Sequence, residues 1–435
     1  MNKKTLISFI IILLFTGSTY SQQYADQDIT LRGEDLISNI EDSQNITIDG
    51  KDIRLKDGEL TGGVMFKVQT ANEKFNRGLP SWNGFAEENL DASFKVQMRF
   101  YSFGGWQRWV TVGYWDKQLW STYGNTTFVG GKVDVDYVKL DAYVTKFQFQ
   151  VLFKRNNVDI PAPSIRQLNF IASDSRTTAN ADIDYIVNQK PPAIFYDTQF
   201  IYQYGVDPVI GKSICSPSST AMCLRSLDIN VDAYDFAVKT KDQYWDMFGV
   251  WPRNVQHAHM HGVRGKVTRY RSWQEAYEVL KNGGRIAMSL GRPLYKGHLI
   301  MLAGFDANGT PILHDPGSRN GYKRQHNKLD LTKSWFNKGG ISYTFYLENE
   351  ELANEDYSGF LNDIKIYPNP ASEYFTIEVV EETKINLINN LGQTILSKTI
   401  TDYDYIDVSN LNSGIYFIQL QDKYGNSNTR KIVVK

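Results

Sequence analysis

Cys215 is the residue whose type and position most readily support chemistry in this chain of 435 residues. It opens the run CSPSSTAMC, which begins polar and becomes helical, and Pro217 suits a first helical turn. Cys215 is therefore expected at a helix N-terminus, where the positive end of the helix favours a thiolate nucleophile. Cys223 would lie about 12 Å further along the same helix, too far for a disulfide, and is expected to be a small buried side chain.

A thiolate nucleophile needs a base, and a β-hairpin predicted over residues 297–315 supplies one. Two registers of this hairpin are open, and they place residue 300 or residue 302 opposite Asp315. In both registers His298 and Asp315 project from the same face of the hairpin, within reach of an imidazole–carboxylate hydrogen bond. His314 projects from the opposite face and is the poorer partner for the thiolate.

Three other histidines, His257, His259 and His261, alternate along the chain and could lie on one face of a strand. Three imidazoles placed in this way can bind zinc. No carboxylate or thiolate accompanies them, so the sequence favours a structural role, and we expect no metal and no cofactor.

The composition excludes several classes of protein. The chain is 42% hydrophobic and 22% charged, close to the average of folded soluble proteins. Its 47 basic and 48 acidic residues give a net charge of −1, which offers no support for a nucleic-acid partner. Two cysteines exclude a disulfide framework and a cysteine-cluster metal site.

The first residues have the features of a secretory signal peptide. Lys3 and Lys4 precede an apolar stretch from Leu6 to Phe15, and small residues suit cleavage after Ser21. The stretch is short for a membrane span, although an uncleaved anchor remains the alternative. We therefore assign residues 1–21 to a signal peptide and expect the mature protein to be exported.

Residues 22–172 alternate between apolar and polar side chains, as in 94–100 and 147–153, which predicts a β-sandwich. Five of the nine tryptophans lie in this segment. Exposed tryptophans could contact a glycan, whereas buried ones would fill the core or pack on the next domain. The sequence favours burial. The five are Trp82, Trp106, Trp109, Trp115 and Trp120.

The C-terminal part is an acidic linker, 348–362, followed by short strands with Asn/Gly turns that predict a small β-sandwich over 363–435. The motifs YPNPASEYFTI, LINNLGQTI, LNSGIYFIQL and RKIVVK, in this order, resemble the C-terminal sorting domain of the type IX secretion system. The resemblance implies a Bacteroidota-type bacterium and the type IX secretion machinery as partner. It also implies passage through the periplasm and outer membrane to the medium or the cell surface.

The region 195–347 contains three ordered blocks that resemble the bacteriocin-leader-processing cysteine peptidases, family thirty-nine, and their secreted relatives. The blocks are QYGVDPVIGKSICSPSSTAMCL, WPRNVQHAHMHGVRGKVTRYRSWQEAYEVLKNGGRIAMSLG and GHLIMLAGFDANGTPILHDPG. The resemblance implies an α+β papain-like fold. It also implies that Cys215 is the nucleophile, His298 the general base, Asp315 the residue that orients the imidazole, and Gln203 an oxyanion-hole donor.

Two features depart from the family pattern. Ser216 follows Cys215 where the family usually has glycine, and Gln203 lies further from Cys215 than in the leader-processing members. The leading expectation is nevertheless a secreted cysteine peptidase that hydrolyses a peptide or protein substrate through a thioester acyl-enzyme. The alternatives are a non-catalytic surface-binding protein that uses the aromatic-rich sandwich, and an acyltransferase that uses the same triad.

Overall fold

The computed structural model describes residues 26–87, 91–115, 124, 126–177, 181–348, 364–379, 382–389, 393–422 and 427–435. The assigned signal peptide and the acidic linker after Glu348 lie outside these residues. The chain divides into one compact unit that ends at Leu347 and a second that begins at Glu348. Within the described segments, no helix is long and apolar enough to span a membrane.

The N-terminal region is built almost entirely of antiparallel strands. The long strands β6 and β12 pair with each other and with different neighbours along their length, so the strands enclose one hydrophobic core. The elements are β1 Gln27–Arg32, α1 Glu34–Ser38, β2 Ile40–Gln44, β3 Ile46–Asp49, β4 Asp52–Leu55, β5 Thr61–Phe66, β6 Gln69–Phe85, β7 Ala92–Ser102, β8 Gly105–Trp106, β9 Val110–Trp115, β10 Thr127–Phe128, β11 Gly131–Asp134, β12 Tyr137–Arg155 and β13 Ser164–Ser173.

Two of the five tryptophans of this region are buried, as the sequence favoured. Trp82 lies in the core against Gly113, where a Cβ would come within 2.0 Å of the indole ring. Trp115 stacks on His257 of the central region, with 5.6 Å between ring centroids. Trp106 and Trp109 are partly exposed and flank the guanidinium of Arg99, and Trp120 lies outside the described residues.

The central region is an antiparallel sheet, in the order β14-β17-β16-β19-β15 with β18 beside β17, covered by helices on both faces. One face packs on α4 and the other on α7 and α8. The elements are α2 Ile183–Asn188, β14 Ile194–Phe195, α3 Gln203–Val206, α4 Cys215–Arg225, α5 Ala233–Thr240, α6 Trp251–His259, β15 Val263–Arg269, α7 Trp273–Lys281, β16 Arg285–Leu290, β17 His298–Phe305, β18 Pro311–His314, α8 Lys328–Phe336 and β19 Ile341–Leu347.

The N-terminal and central regions pack together as one compact unit. Strand β15 is the edge of the central sheet, and side chains of the N-terminal region bond to its open backbone groups. Gly265 N–H donates to Asn83 Oδ1 at 3.1 Å, Gly265 C=O accepts from Gln167 Nε2 at 3.0 Å, and Val267 N–H donates to Ser81 Oγ at 3.0 Å. An edge strand is a site of unwanted pairing unless it is covered, and here the N-terminal region covers it.

The second unit is a small β structure of two sheets, with strand orders β20-β21-β24 and β23-β22-β25-β26. Apolar side chains from both sheets, including Phe375, Ile385 and Ile418, form one core. The elements are β20 Lys365–Tyr367, β21 Tyr374–Glu378, β22 Thr383–Ile388, β23 Thr394–Ile400, β24 Tyr403–Asp407, β25 Gly414–Asp422 and β26 Ser427–Val434.

Candidate active site

The structure places Cys215 at the first position of α4. Pro217 follows within the first turn, and Ser218 N–H closes that turn by donating to Ile214 C=O at 3.0 Å. The helix is buried from Ser216 to Leu224, whereas Cys215 is only half-buried. The same helix therefore buries Cys223 completely and leaves Cys215 partly exposed.

His298 and Asp315 lie together at the open end of the β17–β18 hairpin. His298 is the first residue of β17, Asp315 directly follows β18, and the imidazole Nε2 is 2.7 Å from Asp315 Oδ1. The pairing of Met301 with His314 continues to place Ile300 opposite Asp315, which is the first of the two predicted registers. The other imidazole nitrogen is then available to the Cys215 thiol, and the two groups are close enough for each to shift the pKa of the other.

The carboxylate of Asp315 is almost fully buried and accepts four hydrogen bonds. Oδ1 accepts from His298 and from the backbone N–H of Gly317 at 2.9 Å. Oδ2 accepts from the hydroxyl of Tyr295 and from the guanidinium of Arg324, both at 2.9 Å. The ring of Tyr295 also packs on the imidazole of His298, with centroids 4.7 Å apart. The orientation of the imidazole is thus fixed from two sides.

The electrostatics of the three residues favour a thiolate–imidazolium pair. Burial would raise the pKa of Cys215, but the hydrogen bond and charge of His298 lower it overall. Burial would lower the pKa of His298, but its interactions with Asp315, which accepts a hydrogen bond from the ring, and with Cys215 raise it to about 9. Asp315 has the opposite balance: its bond to His298 overcomes burial and lowers the pKa to about 2. Each charge stabilises the next.

Gln203 lies close to this group, at the start of α3. Its backbone N–H donates to Pro316 C=O at 2.9 Å, and its side-chain Nε2 donates to Gly211 C=O at 2.6 Å. The side chain is buried, and Oε1 has no hydrogen-bond partner among the residues that the structure describes. A Cβ on Gly211 would come within 2.8 Å of Gln203 C=O, so the glycine permits this close approach.

Ser216, which departs from the family pattern, does not project into the site. Its side chain is buried, and its hydroxyl lies 2.8 Å from the hydroxyl of Tyr343 on β19. The serine therefore links α4 to the sheet beneath it.

The strand face on which His257, His259 and His261 could have lain does not form, because this segment is α6 and the turn after it. Pro252 fits the first turn, and Val255 and Ala258 are buried at helical spacing. The Nε2 atoms of His257 and His261 are 3.4 Å apart, whereas His259 Nδ1 lies 2.8 Å from the carbonyl oxygen of Val263. Among the described residues there is no group of three His, Cys, Asp or Glu side chains suited to a metal ion.

His314 lies on the other side of the hairpin from His298. It is buried beside Phe195 and Phe200, its Nδ1 accepts from Lys323 N–H, and its ring stacks on Tyr322. Burial lowers its pKa to about 4. It is therefore a neutral structural histidine near pH 7.

Two residues that contact Asp315, Tyr295 and Arg324, were not predicted from the sequence. Tyr295 precedes β17 in a loop, and Arg324 lies in the segment after the hairpin, where it bridges to Leu313. Neither belongs to a regular element with a readable period. The only signal was proximity, since Tyr295 stands three residues before His298.

Comparison with protein families assigns two parts of the chain. Residues 195–343 match the Peptidase_C39 like family. Residues 365–435 match the Secretion system C-terminal sorting domain. The first match indicates a cysteine peptidase-like domain around the site. The second indicates export through type IX secretion to the cell surface or the medium, and interaction with that secretion machinery.

Individual known proteins add little to these two matches. The Endo-acting ulvan lyase of Formosa agariphila is 34% identical over 91 residues, which cover 20% of this chain and 17% of the lyase. The chain thus spans less than a fifth of that protein.

Similar solved structures include the CBM51-2 and INT domains of ZmpB from Clostridium perfringens. The identity is 10%, the alignment covers 94% of this chain and 84% of that structure, and the TM-score is 0.18. For the adhesin domain of Epf from Streptococcus pyogenes the identity is 7%, the alignment covers 90% of this chain and 79% of that structure, and the TM-score is 0.14. Scores this low support no conclusion about fold or function.

Proposed function

We propose that the protein is a secreted cysteine peptidase with a papain-like central domain and a Cys215–His298–Asp315 triad. The observation that carries the proposal is the grouping of a half-buried cysteine at a helix start with an imidazole that lowers its pKa and a buried carboxylate 2.7 Å from that imidazole. That arrangement is the thiol version of a nucleophile, a base and a residue that orients the base. It lies in the region that matches the peptidase family.

In this mechanism the Cys215 thiolate attacks the carbonyl carbon of the scissile amide. The imidazolium of His298 then donates its proton to the leaving nitrogen, the C–N bond breaks, and a thioester remains on Cys215. Neutral His298 next takes a proton from water, and the hydroxide attacks the thioester. The acid product leaves, and the thiolate–imidazolium pair is restored. Asp315 stays ionised throughout and holds the imidazole in place.

Gln203 and the backbone N–H of Cys215 would stabilise the oxyanion of the tetrahedral intermediate. One hydrogen of the Gln203 amide bonds to Gly211 C=O, and an amide nitrogen carries a second. A buried donor held in this way needs no reorganisation when the oxyanion forms.

The test compares Cys215→Ala with Cys223→Ala on a fluorogenic peptide library. We expect Cys215→Ala to fold and to lose all hydrolysis. Cys223→Ala should lose about 1 kcal/mol of stability and keep its turnover, because Cys223 is a fully buried group away from the reacting atoms. Hydrolysis by a folded Cys215→Ala protein would refute the mechanism.

Acyl transfer is the second candidate, since the same thioester serves both reactions. If an added amine captures the acyl group in preference to water, the protein is an acyltransferase. If the folded protein neither cleaves peptides nor reacts at Cys215 with a thiol-directed substrate analogue, a non-catalytic surface-binding role takes its place.

A further inference from the structure

A half-buried ammonium group, that of Lys338, lies beside the proposed site. Lys338 stands between α8 and β19. Its Nζ donates to Ser289 Oγ at 2.8 Å and is 3.4 Å from Leu290 C=O. Leu290 is the cross-strand partner of His298, so the ammonium lies one strand away from the proposed base.

Ser289 places this ammonium on the face of the sheet that carries α4. Ala287 of β16, Leu299 of β17 and Tyr343 of β19 all pack in the core that contains α4. Side chains alternate along a strand, so Ser289, two residues after Ala287, projects to the same face. Cys215 begins α4, and its charge acts on Lys338: burial lowers the pKa of Lys338, and Cys215 partly raises it again.

The ammonium has hydrogen-bond acceptors but no ion-pair partner within the described part of the chain. An ammonium has three donors, and here they meet only a hydroxyl and a carbonyl oxygen. Asp136 influences Lys338 through its charge without contacting it. Burial raises the pKa of Asp136 to about 7, so its carboxyl group offsets only part of the ammonium charge near neutral pH. A half-buried cation in this setting gains from an incoming anion.

We propose that Lys338 forms an anion subsite beside the scissile bond, and that the substrate places a peptide carboxylate there. The inference rests on the proposed function, because the subsite acts on molecules that react with Cys215. The carboxylate can come from an acidic side chain or from the end of a peptide chain.

Alkylation of the thiol tests the subsite without any knowledge of the substrate. Iodoacetate and iodoacetamide react with the same thiolate and differ by one negative charge. We expect Lys338→Met to lower the ratio of the two rates, iodoacetate over iodoacetamide, by about fivefold, the order expected for one unit charge a few ångströms away. The ratio cancels any change in the pKa of the Cys215 thiol. Cys223 is fully buried and does not compete.

Three variants complete the experiment. Lys338→Arg keeps the charge and should keep the ratio. Lys338→Gln should lower the ratio as Lys338→Met does. Its amide can still bond to Ser289, so it replaces Lys338→Met in the experiment if that variant does not fold. Lys281→Met removes an exposed lysine on α7 that pairs with Glu278, and should leave the ratio unchanged.

An unchanged ratio in folded Lys338→Met or Lys338→Gln would overturn the subsite while leaving the proposed function intact. Failure of both reagents to label Cys215 in the unmodified protein would instead overturn the proposed function, and the subsite with it.

With peptide substrates, matched pairs then identify the source of the carboxylate. Faster cleavage of a peptide with Glu than of one with Gln near the scissile bond would identify a side-chain carboxylate. Faster cleavage of a peptide with a free C-terminal acid than of its C-terminal amide would identify a chain end. In each case Lys338→Met should abolish the preference, and a preference that survives would count against Lys338.

Discussion

At the residue scale, the reactivity proposed for Cys215 would depend on Asp315, a carboxylate that is held against His298 rather than against the thiol. Asp315 accepts four hydrogen bonds. The bond and charge of His298 first, and then the bonds from Tyr295 and Gly317, overcome burial and lower the pKa of the carboxyl group, so it stays ionised inside the protein. An ionised Asp315 stabilises the imidazolium of His298, and the imidazolium stabilises the thiolate. In the proposed mechanism, the donors to Asp315 therefore act on the Cys215 thiolate through Asp315 and His298.

The first prediction concerns the pH dependence of alkylation and turnover. The pKa of Cys215 is lowered and that of His298 is raised to about 9, so the ion pair should exist at neutral pH. Iodoacetamide labelling should rise with pH as the thiolate forms and then remain high. Turnover should rise in the same range and fall again near pH 9, because the imidazole loses the proton that the leaving amine needs.

His298→Ala should therefore slow labelling at pH 7 by at least about tenfold, since the thiol regains an ordinary pKa. His314→Ala, once shown to fold, is the matched control and should label normally, because its neutral ring lies on the other side of the hairpin. The reverse pattern would mean that the wrong histidine was assigned to the base.

The second prediction is that Tyr295→Phe destabilises the protein near pH 7 and that the difference shrinks in acid. The variant loses one hydrogen bond to a buried carboxylate, a loss of about 1–2 kcal/mol in the free energy of unfolding. The pKa of Asp315 is depressed to about 2, so its ionisation adds stability above about pH 4, and that stability is lost as pH falls toward 2. Urea unfolding of parent and variant at pH 7 and pH 3 measures both effects.

Tyr322→Phe is the control for Tyr295→Phe. It removes a hydroxyl that donates to the more exposed Asp197 at 2.7 Å, and an exposed bond should be worth less. Equal losses in the two variants, or a loss in Tyr295→Phe that does not vary with pH, would contradict the role given to Asp315.

At the element scale, the sequence predicts the elements that carry the triad better than it predicts the loops that support it. Helical spacing places Cys215, and strand alternation places His298 and Asp315, because both patterns are local. The sequence did not decide between the two registers of the β17–β18 hairpin. The register is set by a shift in strand pairing between Leu302 and Gly304, and no sequence pattern predicts that shift. The strand considered for His257–His261 does not form, since alternating histidines also suit a helix whose buried positions lie at Val255 and Ala258.

The third prediction tests how closely the loop after Asp315 fits the imidazole. A Cβ on Gly317 would lie 3.0 Å from two atoms of the His298 ring and 3.2 Å from Asp315 Oδ1. Gly317→Ala should displace the ring and lower kcat by about tenfold, with little loss of stability. Gly297→Ala is the control: it adds the same methyl group next to His298 in sequence, but its Cβ meets no atom within 4 Å. Similar kcat values for the two variants would show that the ring tolerates displacement.

At the scale of the whole molecule, the two units follow from the sequence to different degrees. The sorting unit was predicted from motifs that lie within about seventy consecutive residues, and the family match agrees with it. The sequence raised packing of buried tryptophans on the next domain, as Trp115 does on His257, but it did not predict the polar contacts that join the N-terminal and central regions. These contacts join polar groups far apart in sequence, such as Tyr114, whose hydroxyl donates to Asp242 at 3.1 Å. No local pattern reports contacts of this kind.

The N-terminal region covers the edge of the central sheet, so its loss should affect stability more directly than substrate binding. Gln256 of α6 shows how the two regions are held together. Its Nε2 donates to Gly84 C=O at 2.7 Å, its Oε1 accepts from Gly84 N–H at 2.9 Å, and the side chain is fully buried. The amide group thus pairs with the backbone of β6 as a neighbouring strand would.

The last prediction follows from this pairing. Gln256→Ala leaves a buried backbone N–H and C=O without partners, each of which costs about 1–3 kcal/mol. We expect the free energy of unfolding to fall by about 2–4 kcal/mol. Gln274→Ala should change it by less than about 0.5 kcal/mol, because the Gln274 side chain is exposed and donates to the nearby Glu278, and the substitution leaves the backbone N–H that donates to Gln189 in place. If the two regions unfold as one unit, fluorescence of the buried tryptophans and protection of Cys223 from alkylation should be lost at the same urea concentration. Two separate transitions in the parent protein would show that the N-terminal region is an independent module, and would return glycan binding to consideration as its role.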